Sequence, residues 1–359
     1  MRLSARVESV ILPIAAVLIA LAIGAVLIAL DGASPWTAYT ALLDGSVGGP
    51  DSIARTLERA TPLIFTGLAV IVGMKAGLFN IGAQGQLLTG AVFAAWVGYR
   101  FSLPAIVHVP LAIVVGGLCG LLPAALAGVL KAYRGAHEVI TTIMLNAILV
   151  SLTEWIVGAR GPFHDPDAGA ISRTPLVRET ADIPRIDVYP LGFFLGVLVA
   201  FAIWFLFGRT TTGFKLTTVG QNKFAAEYGG ISAARITVLA MALSGFLAGV
   251  GGSIETLGVF GRFESGRNVG LGFDGITVAL LARIHPLLAI PSALLLGVLR
   301  AGQTQMAFES KVAPEIIDVI LAIILLLVCA PIVVRWILRL RKGTTGAESL
   351  QLTSGWGAS

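Results

Sequence analysis

Residues 103–129 read LPAIVHVPLAIVVGGLCGLLPAALAGV and contain no Asp, Glu, Lys or Arg. A helix of about 20 apolar residues crosses the hydrocarbon core of a bilayer, so this run is long enough to span. Further apolar runs lie at Val10–Leu30, Pro62–Met74, Gly82–Tyr99, Val139–Val157, Leu191–Phe207, Ile236–Leu257, Leu271–Leu281, Leu287–Leu299 and Pro314–Val334. Strands of a membrane barrel would alternate apolar and polar residues, so these unbroken runs predict helices.

The composition of the whole chain supports this interpretation. Of its 359 residues, 56% are hydrophobic and 13% are charged, whereas soluble domains carry about 25% charged residues. Too few polar side chains are present to cover a water-soluble globule, which excludes a soluble enzyme. The first run follows Arg2 and Arg6 but is longer than the apolar region of about 7 to 15 residues in a signal peptide. We therefore predict an all-α polytopic membrane protein with about ten transmembrane helices, the first of them uncleaved.

The Lys and Arg residues predict the orientation of these helices. An even number of spans places both termini on one side of the membrane. If the amino terminus is inside, that side holds more than half of the Lys and Arg residues and few of the acidic ones. Because cytoplasmic loops are enriched in Lys and Arg, we predict cytoplasmic termini, a transmembrane domain over residues 1–342 and a flexible tail over 343–359. The net charge of +5 then needs no nucleic-acid partner.

Two of the ten runs, Pro62–Met74 and Leu271–Leu281, are too short to span. Each adjoins a polar patch marked by glycines, at residues 75–86 and 266–275. Non-helical backbone survives in a bilayer only where it is buried in protein or lines a watery cavity. Paired short segments of this kind point to the binding site of a transporter and to a weak internal repeat. We therefore predict broken helices along a translocation path.

Polar side chains in or beside the membrane runs are candidates for contact with a transported molecule. Uncharged amides suit a neutral, hydrogen-bonding substrate, and ionisable groups at membrane depth are functional by default. The alternative is that the amides join helices by hydrogen bonds and the glycines allow close packing. Glu154, near the end of its run, is interpreted as a solvated acid. The candidates are Asn80, Gln84, Gln86, Asn146, Glu255 and Asp274.

A polar segment, Arg209–Arg235, separates the sixth and seventh runs. Within it, Gln221–Tyr228 is flanked by glycines, which predicts a short helix. Ala225 and Ala226 lie between Phe224 and Tyr228, a spacing that predicts one compact apolar face. Such a face fits a groove on a partner protein. The alternative is a surface turn that lies against the lipid headgroups.

Four elements resemble one family of proteins, in the family's order and over about 200 residues. They are Gly77–Gln86, similar to GLFNIGAEGQ; Ala136–Asn146, similar to NEVISTIMLN; Gly220–Ile231, similar to GxNxxAAxYxGI; and Gly270–Arg283, similar to GxGFxGIAVALL. The family comprises permease subunits of ABC importers of the branched-chain amino-acid and simple-sugar class, in particular its nucleoside-type branch. The chain departs from the pattern at Gln84, where Glu is usual, and at His137, where Asn is common. The first departure removes an intramembrane charge.

The resemblance implies the membrane-spanning permease of an ATP-driven importer in the bacterial inner membrane. Its substrate would be a neutral polar metabolite, a nucleoside or purine first and a pentose-type sugar second. The broken helices would line the path, and a coupling helix would sit in a cleft of a cytoplasmic ABC ATPase. That helix would use Asn222, Lys223, Phe224, Ala225, Ala226, Tyr228 and Gly229. A second, related permease chain and an extracytoplasmic substrate-binding protein would complete the complex.

The outer loop, residues 158–189, is rich in proline and of mixed charge. It is long enough to meet a binding protein or a second permease chain. A disordered connector is the alternative interpretation.

The sequence also limits the chemistry that this chain can perform. It contains no GxxxxGK[ST] motif, so it cannot hold ATP phosphates as a P-loop does; ATP and Mg would be used by the partner ATPase. Cys119 and Cys329 lie far apart in apolar runs, which gives no zinc or disulfide spacing. We predict no metal or cofactor, no catalytic residue, and helix packing as the role of Gly249–Gly252.

Two competing functions remain at this point. An ion-coupled secondary transporter would bind its cation at Glu255 or Asp274 beside unwound backbone. An intramembrane enzyme has little support, because the four histidines form no close pair in the sequence. Neither alternative gives the Arg209–Arg235 segment a role.

Overall fold

The computed structural model describes residues 5–267, 270–313, 315–329 and 333–334. The predicted tail at 343–359, two residues of the second polar patch and part of the last apolar run lie outside the described residues. The helices of the described part are α1 (Ala5–Leu30), α2 (Pro35–Val47), α3 (Pro50–Lys75), α4 (Ala83–Arg100), α5 (Ala105–Arg134), α6 (Glu138–Val157), α7 (Leu191–Arg209), α8 (Thr211–Gln221), α9 (Lys223–Tyr228), α10 (Ala233–Glu255), α11 (Leu271–Leu281), α12 (Ala289–Ser310) and α13 (Glu315–Cys329).

The all-α polytopic membrane architecture is confirmed. By length and hydropathy, six stretches of the described chain can cross a membrane: Pro50–Lys75, Ala105–Arg134, Glu138–Val157, Leu191–Arg209, Ala233–Phe260 and Pro286–Ser310. Two shorter apolar helices, Ile14–Leu30 and Leu271–Leu281, accompany them. The total of ten spans and the cytoplasmic termini stay predictions.

The predicted short span at Pro62–Met74 is wrong. It is the second half of α3, a continuous helix of 26 residues with Pro62 in its interior. The first half was hidden by its charged residues, among them Glu58, whose carboxylate pairs with Arg185 at 2.9 Å. The prediction for Leu271–Leu281 is confirmed, because α11 has these bounds and 11 residues.

The chain forms two compact units, and each is described by itself. The first comprises residues 1–52 and 298–359, and the second comprises residues 53–297. In the first, α1 packs against α13, and the Tyr39 hydroxyl of α2 donates a hydrogen bond to the Leu21 carbonyl at 2.5 Å. Arg300 and Asp318 form an ion pair at 2.8 Å in the same unit.

The second unit is built around α4, α5 and α10, which pack closely through glycines. A methyl group on Gly90 would overlap the backbone of Gly249, and one on Gly245 would overlap the Gly120 carbonyl. A methyl group on Gly252 would overlap the Leu87 carbonyl. Small residues let membrane helices approach one another in this way. The predicted packing role of Gly249–Gly252 is therefore confirmed.

The outer loop is folded onto the segment that follows α10. It contains single turns at Pro166–Ala168 and Glu179–Ala181, and the short antiparallel strands β1 (Arg185–Ile186) and β2 (Tyr189–Pro190) lie at its end. Backbone N–H groups of Thr174, Val177 and Ile183 donate to the carbonyls of Phe263, Gly261 and Leu257 at 2.8 to 3.2 Å. This loop therefore has fixed contacts along most of its length.

Candidate functional site

The backbone between α3 and α4 leaves helical geometry over residues 76–82, here called the helix break. Its second residue is Gly77, whose φ of +72° lies in the left-handed region, which glycine adopts without strain. Four of its seven residues, Ala76, Leu78, Asn80 and Gly82, are buried within the protein, whereas Gly77 is exposed. The first polar patch thus forms a real interruption, although α3 before it is long enough to span.

An amide cluster of Asn80, Gln86 and Ser244 holds this break. The Asn80 Nδ2 donates to Gln86 Oε1 at 2.8 Å and to Ser244 Oγ at 2.9 Å. Its Oδ1 accepts from the Gly82 N–H at 3.0 Å and from Gln86 Nε2 at 3.1 Å. Ser244 Oγ in turn donates to the Ala69 carbonyl at 2.7 Å. Asn80 thereby uses both donors and both acceptor positions of its amide.

The cluster joins three helices through buried side chains. Ala69 belongs to α3, Gln86 to α4 and Ser244 to α10, and the three polar side chains are buried. Sequence reasoning missed Ser244, because a lone serine in an apolar run carries no sign of its partner. Its position opposite Asn80 follows from the packing of α10 alone.

Gln84 and Asn146 each cap a helix other than their own. Gln84 Oε1 accepts the N–H of Gly272, in the first turn of α11, at 2.7 Å. Asn146 Oδ1, from α6, accepts the N–H of Gly85, in the first turn of α4, at 2.6 Å. First-turn N–H groups have no partner within their own helix, so these two amides satisfy helix ends inside the protein.

Gln84 stands where the family usually has Glu. Its contact with Gly272 shows which function of the carboxylate the amide can still perform. An amide oxygen and a carboxylate oxygen both accept from Gly272, but only the carboxylate would place a negative charge at the positive end of α11. Asp274, partly buried, already supplies an acid in the first turn of that helix. The chain therefore keeps the cap without the second charge.

Glu255 stands in a different environment. It is the last residue of α10 and is 3% exposed. In the described part of the chain its Oε2 has no hydrogen-bond partner, and neither has the buried hydroxyl of the next residue, Thr256. The positive charges that act on this carboxylate are those of Arg59 and Arg267. Buried polar groups without partners are rare and need an explanation.

The backbone beside Glu255 is also unusual. Residues Thr256–Phe260 form a π-helical turn that continues α10. Such turns are uncommon and occur frequently at functional sites. Glu255 lies eleven residues beyond Ser244 on α10, about 16 Å along the helix axis. The structure therefore brings Asn80, Gln84, Gln86 and Asn146 together around the helix break, with Asp274 on the adjoining α11, and leaves Glu255 apart.

The polar segment Arg209–Arg235, here called the cytoplasmic segment after its predicted location, contains two helices where one was predicted. The predicted short helix is α9, and its N-cap residue Asn222 accepts the N–H groups of Phe224 and Ala225 through Oδ1, both at 3.0 Å. The preceding α8 was missed, because its apolar residues are too few for a membrane run. It buries Gly213, Leu216 and Val219.

The two alanines of α9 differ in burial, so they do not form the predicted shared apolar face. Phe224 is 60% exposed and Tyr228 is 95% exposed, and Ala225 lies on their side. Ala226 is 1% exposed and packs in a hydrophobic cluster of the second unit. The exposed face of α9 thus consists of Phe224, Ala225 and Tyr228, together with the charged Lys223 and Glu227.

Two ionisable side chains, Lys75 and His285, lie at the end of α3 and just after α11. Lys75 Nζ, at the end of α3, lies 5.7 Å from the centre of the Phe207 ring. Burial, with a further contribution from the charge of Lys75, lowers the pKa of His285, which follows α11. No group of three metal-ligating side chains occurs among the residues that the structure describes.

Comparison with known proteins identifies relatives over nearly the whole chain. Residues 52–329 match the family described as "Branched-chain amino acid transport system / permease component". The guanosine ABC transporter permease protein NupP of Bacillus subtilis (strain 168) is 37% identical over 348 residues, which are 94% of this chain and 98% of NupP. The nucleoside ABC transporter permease protein NupB of Lactococcus lactis subsp. cremoris is 30% identical over 96% of this chain and 97% of NupB.

A relative with a different printed substrate is also similar. The glucose ABC transporter permease protein TsgB13 of Haloferax volcanii is 31% identical over 327 residues, which are 88% of this chain and 85% of TsgB13. The identity to TsgB13 is close to the identity to NupB, but the match to TsgB13 covers a smaller share of both sequences. The relatives agree on the class of protein and differ in the solute.

Proposed function

The chain belongs to the permease-component family of branched-chain amino acid transport systems, and from this premise we propose that it is the membrane-spanning subunit of an ATP-driven importer of nucleosides or purines. The observation that carries the proposal is the 37% identity to a guanosine permease over nearly the full length of both chains. A bacterial plasma membrane is its proposed location.

A sugar importer is the second candidate, and one observation favours it. The 31% identity to a glucose permease extends over 88% of this chain. The guanosine permease is more similar in both identity and coverage, so nucleosides come first. An ion-coupled transporter is not favoured, because the family and these relatives are permease components.

We propose that the helix break and Glu255 divide the substrate path between them. The amides of Asn80, Gln84, Gln86 and Asn146 are bonded to protein, so they shape the path and hold its broken helices. Glu255 and the Thr256 hydroxyl have buried atoms without partners in the described chain. A carboxylate accepts hydrogen bonds from N–H and O–H groups, both of which nucleosides carry. Asp274 is assigned to the path by its place in the first turn of α11.

We propose that α9 docks in a cleft of a cytoplasmic ABC ATPase, which hydrolyses ATP with Mg. The residues assigned to this coupling are Asn222, Lys223, Phe224, Ala225, Ala226, Tyr228 and Gly229. The exposed aromatic residues Phe224 and Tyr228 would make the contact, since large aromatic side chains dominate the energetics of protein interfaces. A second, related permease chain and a substrate-binding protein that meets the outer loop would complete the importer.

The docking role of α9 is tested by Ala225→Arg. The bulky charge on the exposed face should prevent docking, so the tagged permease should no longer retain the ATPase on purification, while its thermal stability is unchanged. Ala225→Ser, which hardly changes the size of the side chain, is the matched control and should retain the ATPase. Retention by the arginine variant would remove α9 from the interface. Ala226 is unsuitable for this test, because it is buried.

The transport function is tested with the assembled complex in proteoliposomes. The complex is the permease reconstituted with its proposed partners: an ABC ATPase, a second permease chain and a substrate-binding protein. We expect uptake of labelled guanosine that requires hydrolysable ATP and survives a protonophore. Uptake of labelled ribose or glucose, without guanosine uptake, would establish the sugar alternative. Uptake driven by an ion gradient without ATP would contradict the proposal altogether.

A further inference from the structure

Two glycines from separate elements touch where the helix break meets the cytoplasmic segment. Gly77 is the second residue of the break, and Gly220 lies near the end of α8. A methyl group on Gly77 would lie 2.9 Å from the Gly220 carbonyl oxygen and 3.1 Å from its Cα. A methyl group on Gly220 would overlap the Lys75 carbonyl. The two backbones are therefore in direct contact, with no room for a side chain on Gly220.

A second contact reinforces the first. Ala226, on the buried side of α9, belongs to the same hydrophobic cluster as Ala76 and Leu78 of the break and Leu216 and Val219 of α8. The Ala226 carbonyl also accepts the N–H of Ile231 at 2.9 Å. The buried side of the cytoplasmic segment thus rests on the break, while the opposite side of α9 is exposed.

The helix break connects the Gly77–Gly220 contact to the amide cluster through the chain itself. Only Leu78 and Phe79 separate Gly77 from Asn80, and the Leu78 N–H donates back to the Gly73 carbonyl of α3 at 2.9 Å. Asn80 is then fixed to α4 and α10 through Gln86 and Ser244. A continuous series of contacts therefore leads from the buried side of α9 to the centre of the second unit.

We propose that Gly220, seated on Gly77 and assisted by Ala226, is a positioning residue that transmits movement of α9 to the helix break. The reason is mechanical. Flexible side chains take up small displacements by changing rotamer, whereas a contact between two backbones passes them on, and closely packed interiors respond by switching between discrete arrangements. The inference rests on the proposed docking of an ATPase on α9.

The test is Gly220→Ala in the assembled complex, with uptake and ATP hydrolysis measured in the same proteoliposomes. The added methyl should displace α8 from the break and leave the exposed face of α9 intact. We expect the ATPase to stay bound and to hydrolyse ATP, while substrate moved per ATP falls by about tenfold or more, the scale of a typical coupling free energy.

The matched control is Gly208→Ala, the same substitution twelve residues earlier in the chain. Gly208 has no atom within 4 Å of an added methyl, so this variant should couple uptake to hydrolysis as the wild type does. Gly249→Ala is the control for a disturbance of helix packing alone, because its methyl would overlap the Gly116 carbonyl. It should lower thermal stability and assembly rather than the ratio of uptake to hydrolysis.

A positioning role and a merely structural one differ in that ratio. If Gly220→Ala does not assemble, Ala226→Gly loosens the second contact without adding volume and should lower the ratio by itself. A ratio equal to that of the wild type in the assembled variant overturns the inference. Gly77→Ala and Gly220→Ala should also combine non-additively, as residues in contact do, and additive effects would contradict the contact.

The failure of this inference is distinguishable from failure of the proposed function. A wild-type complex that takes up no nucleoside contradicts the substrate assignment. Should it take up a sugar instead, the same ratio is measured with that sugar, and the expected loss in Gly220→Ala is unchanged. An ATPase that does not bind α9 overturns both proposals together.

Discussion

The amide cluster and Glu255 are both buried and polar, yet their hydrogen bonding is opposite. Asn80 has four hydrogen bonds within the protein. Glu255 has a buried oxygen with no partner in the described chain. A satisfied network rigidifies the structure around it, whereas an unsatisfied group costs stability. The difference indicates that the cluster holds the helices, whereas Glu255 Oε2 takes no part in joining them; contact with the substrate is the role proposed for it.

Asn80→Ala should produce the largest change in stability. It removes both donors and both acceptor positions and leaves Gln86 and Ser244 short of a partner. Hydrogen bonds between membrane helices contribute about 0.6 kcal/mol each on average, so we expect a loss on the order of 2 kcal/mol. The measurement is unfolding of the purified permease in detergent.

Gln221→Ala removes an exposed amide and serves as the control for this loss. It should unfold with the wild type. An Asn80→Ala variant as stable as its control would mean that the cluster does not hold the helices together.

Glu255→Leu should change stability in the opposite direction and by less. It replaces a buried side chain whose Oε2 has no hydrogen-bond partner in the described chain with an apolar one of similar size, and removing an unsatisfied buried polar group relieves a penalty of about 1 kcal/mol or more. The same unfolding measurement applies. Glu264→Leu is the control, because that carboxylate pairs with Arg267 at 2.8 Å and should show no gain. A marked destabilisation by Glu255→Leu would reveal a hydrogen-bond partner for Glu255. Glu255 would then not differ from the amide cluster in its hydrogen bonding.

Gln84→Glu should have the smallest effect on stability. The carboxylate keeps the bond to the Gly272 N–H and adds a negative charge at the start of α11, a favourable interaction of about 0.3 to 1 kcal/mol. Asp274 in the same turn repels it and reduces the gain. Unfolding at two pH values separates the contributions, since the gain should vanish where the new carboxyl is protonated. A gain independent of pH would exclude the helix dipole as its cause.

The apolar runs predicted much of the fold, because hydropathy depends on a helix's own residues. The ends of the runs over α5, α6, α7 and α10 lie within five residues of the ends of the observed helices. Hydropathy could not find the first half of α3, because Asp51, Arg55, Glu58 and Arg59 interrupt its apolar residues. It also missed α2 and α8, which are too short or too polar for a membrane run.

The sequence predicted the helix break and singled out the amides beside it, but it did not predict what those amides contact. Amides beside glycines indicated the helix break, since polar groups at membrane depth need a reason. Their partners Ser244 and Gly272 are far away in the sequence and carry no local sign. The different exposure of Ala225 and Ala226 likewise depends on how α9 packs. The isolation of Glu255 is visible only once its surroundings are known.

The transport kinetics of Glu255→Gln test the division of roles most directly. The assembled complex is compared with the wild type for ATP-dependent uptake of labelled guanosine over a range of concentrations. If Glu255 contacts the substrate, the variant should assemble and unfold like the wild type, while kcat/KM for guanosine falls by about tenfold, the loss expected when one hydrogen bond of about 1.4 kcal/mol is removed. Unchanged kcat/KM in the assembled variant would contradict the account.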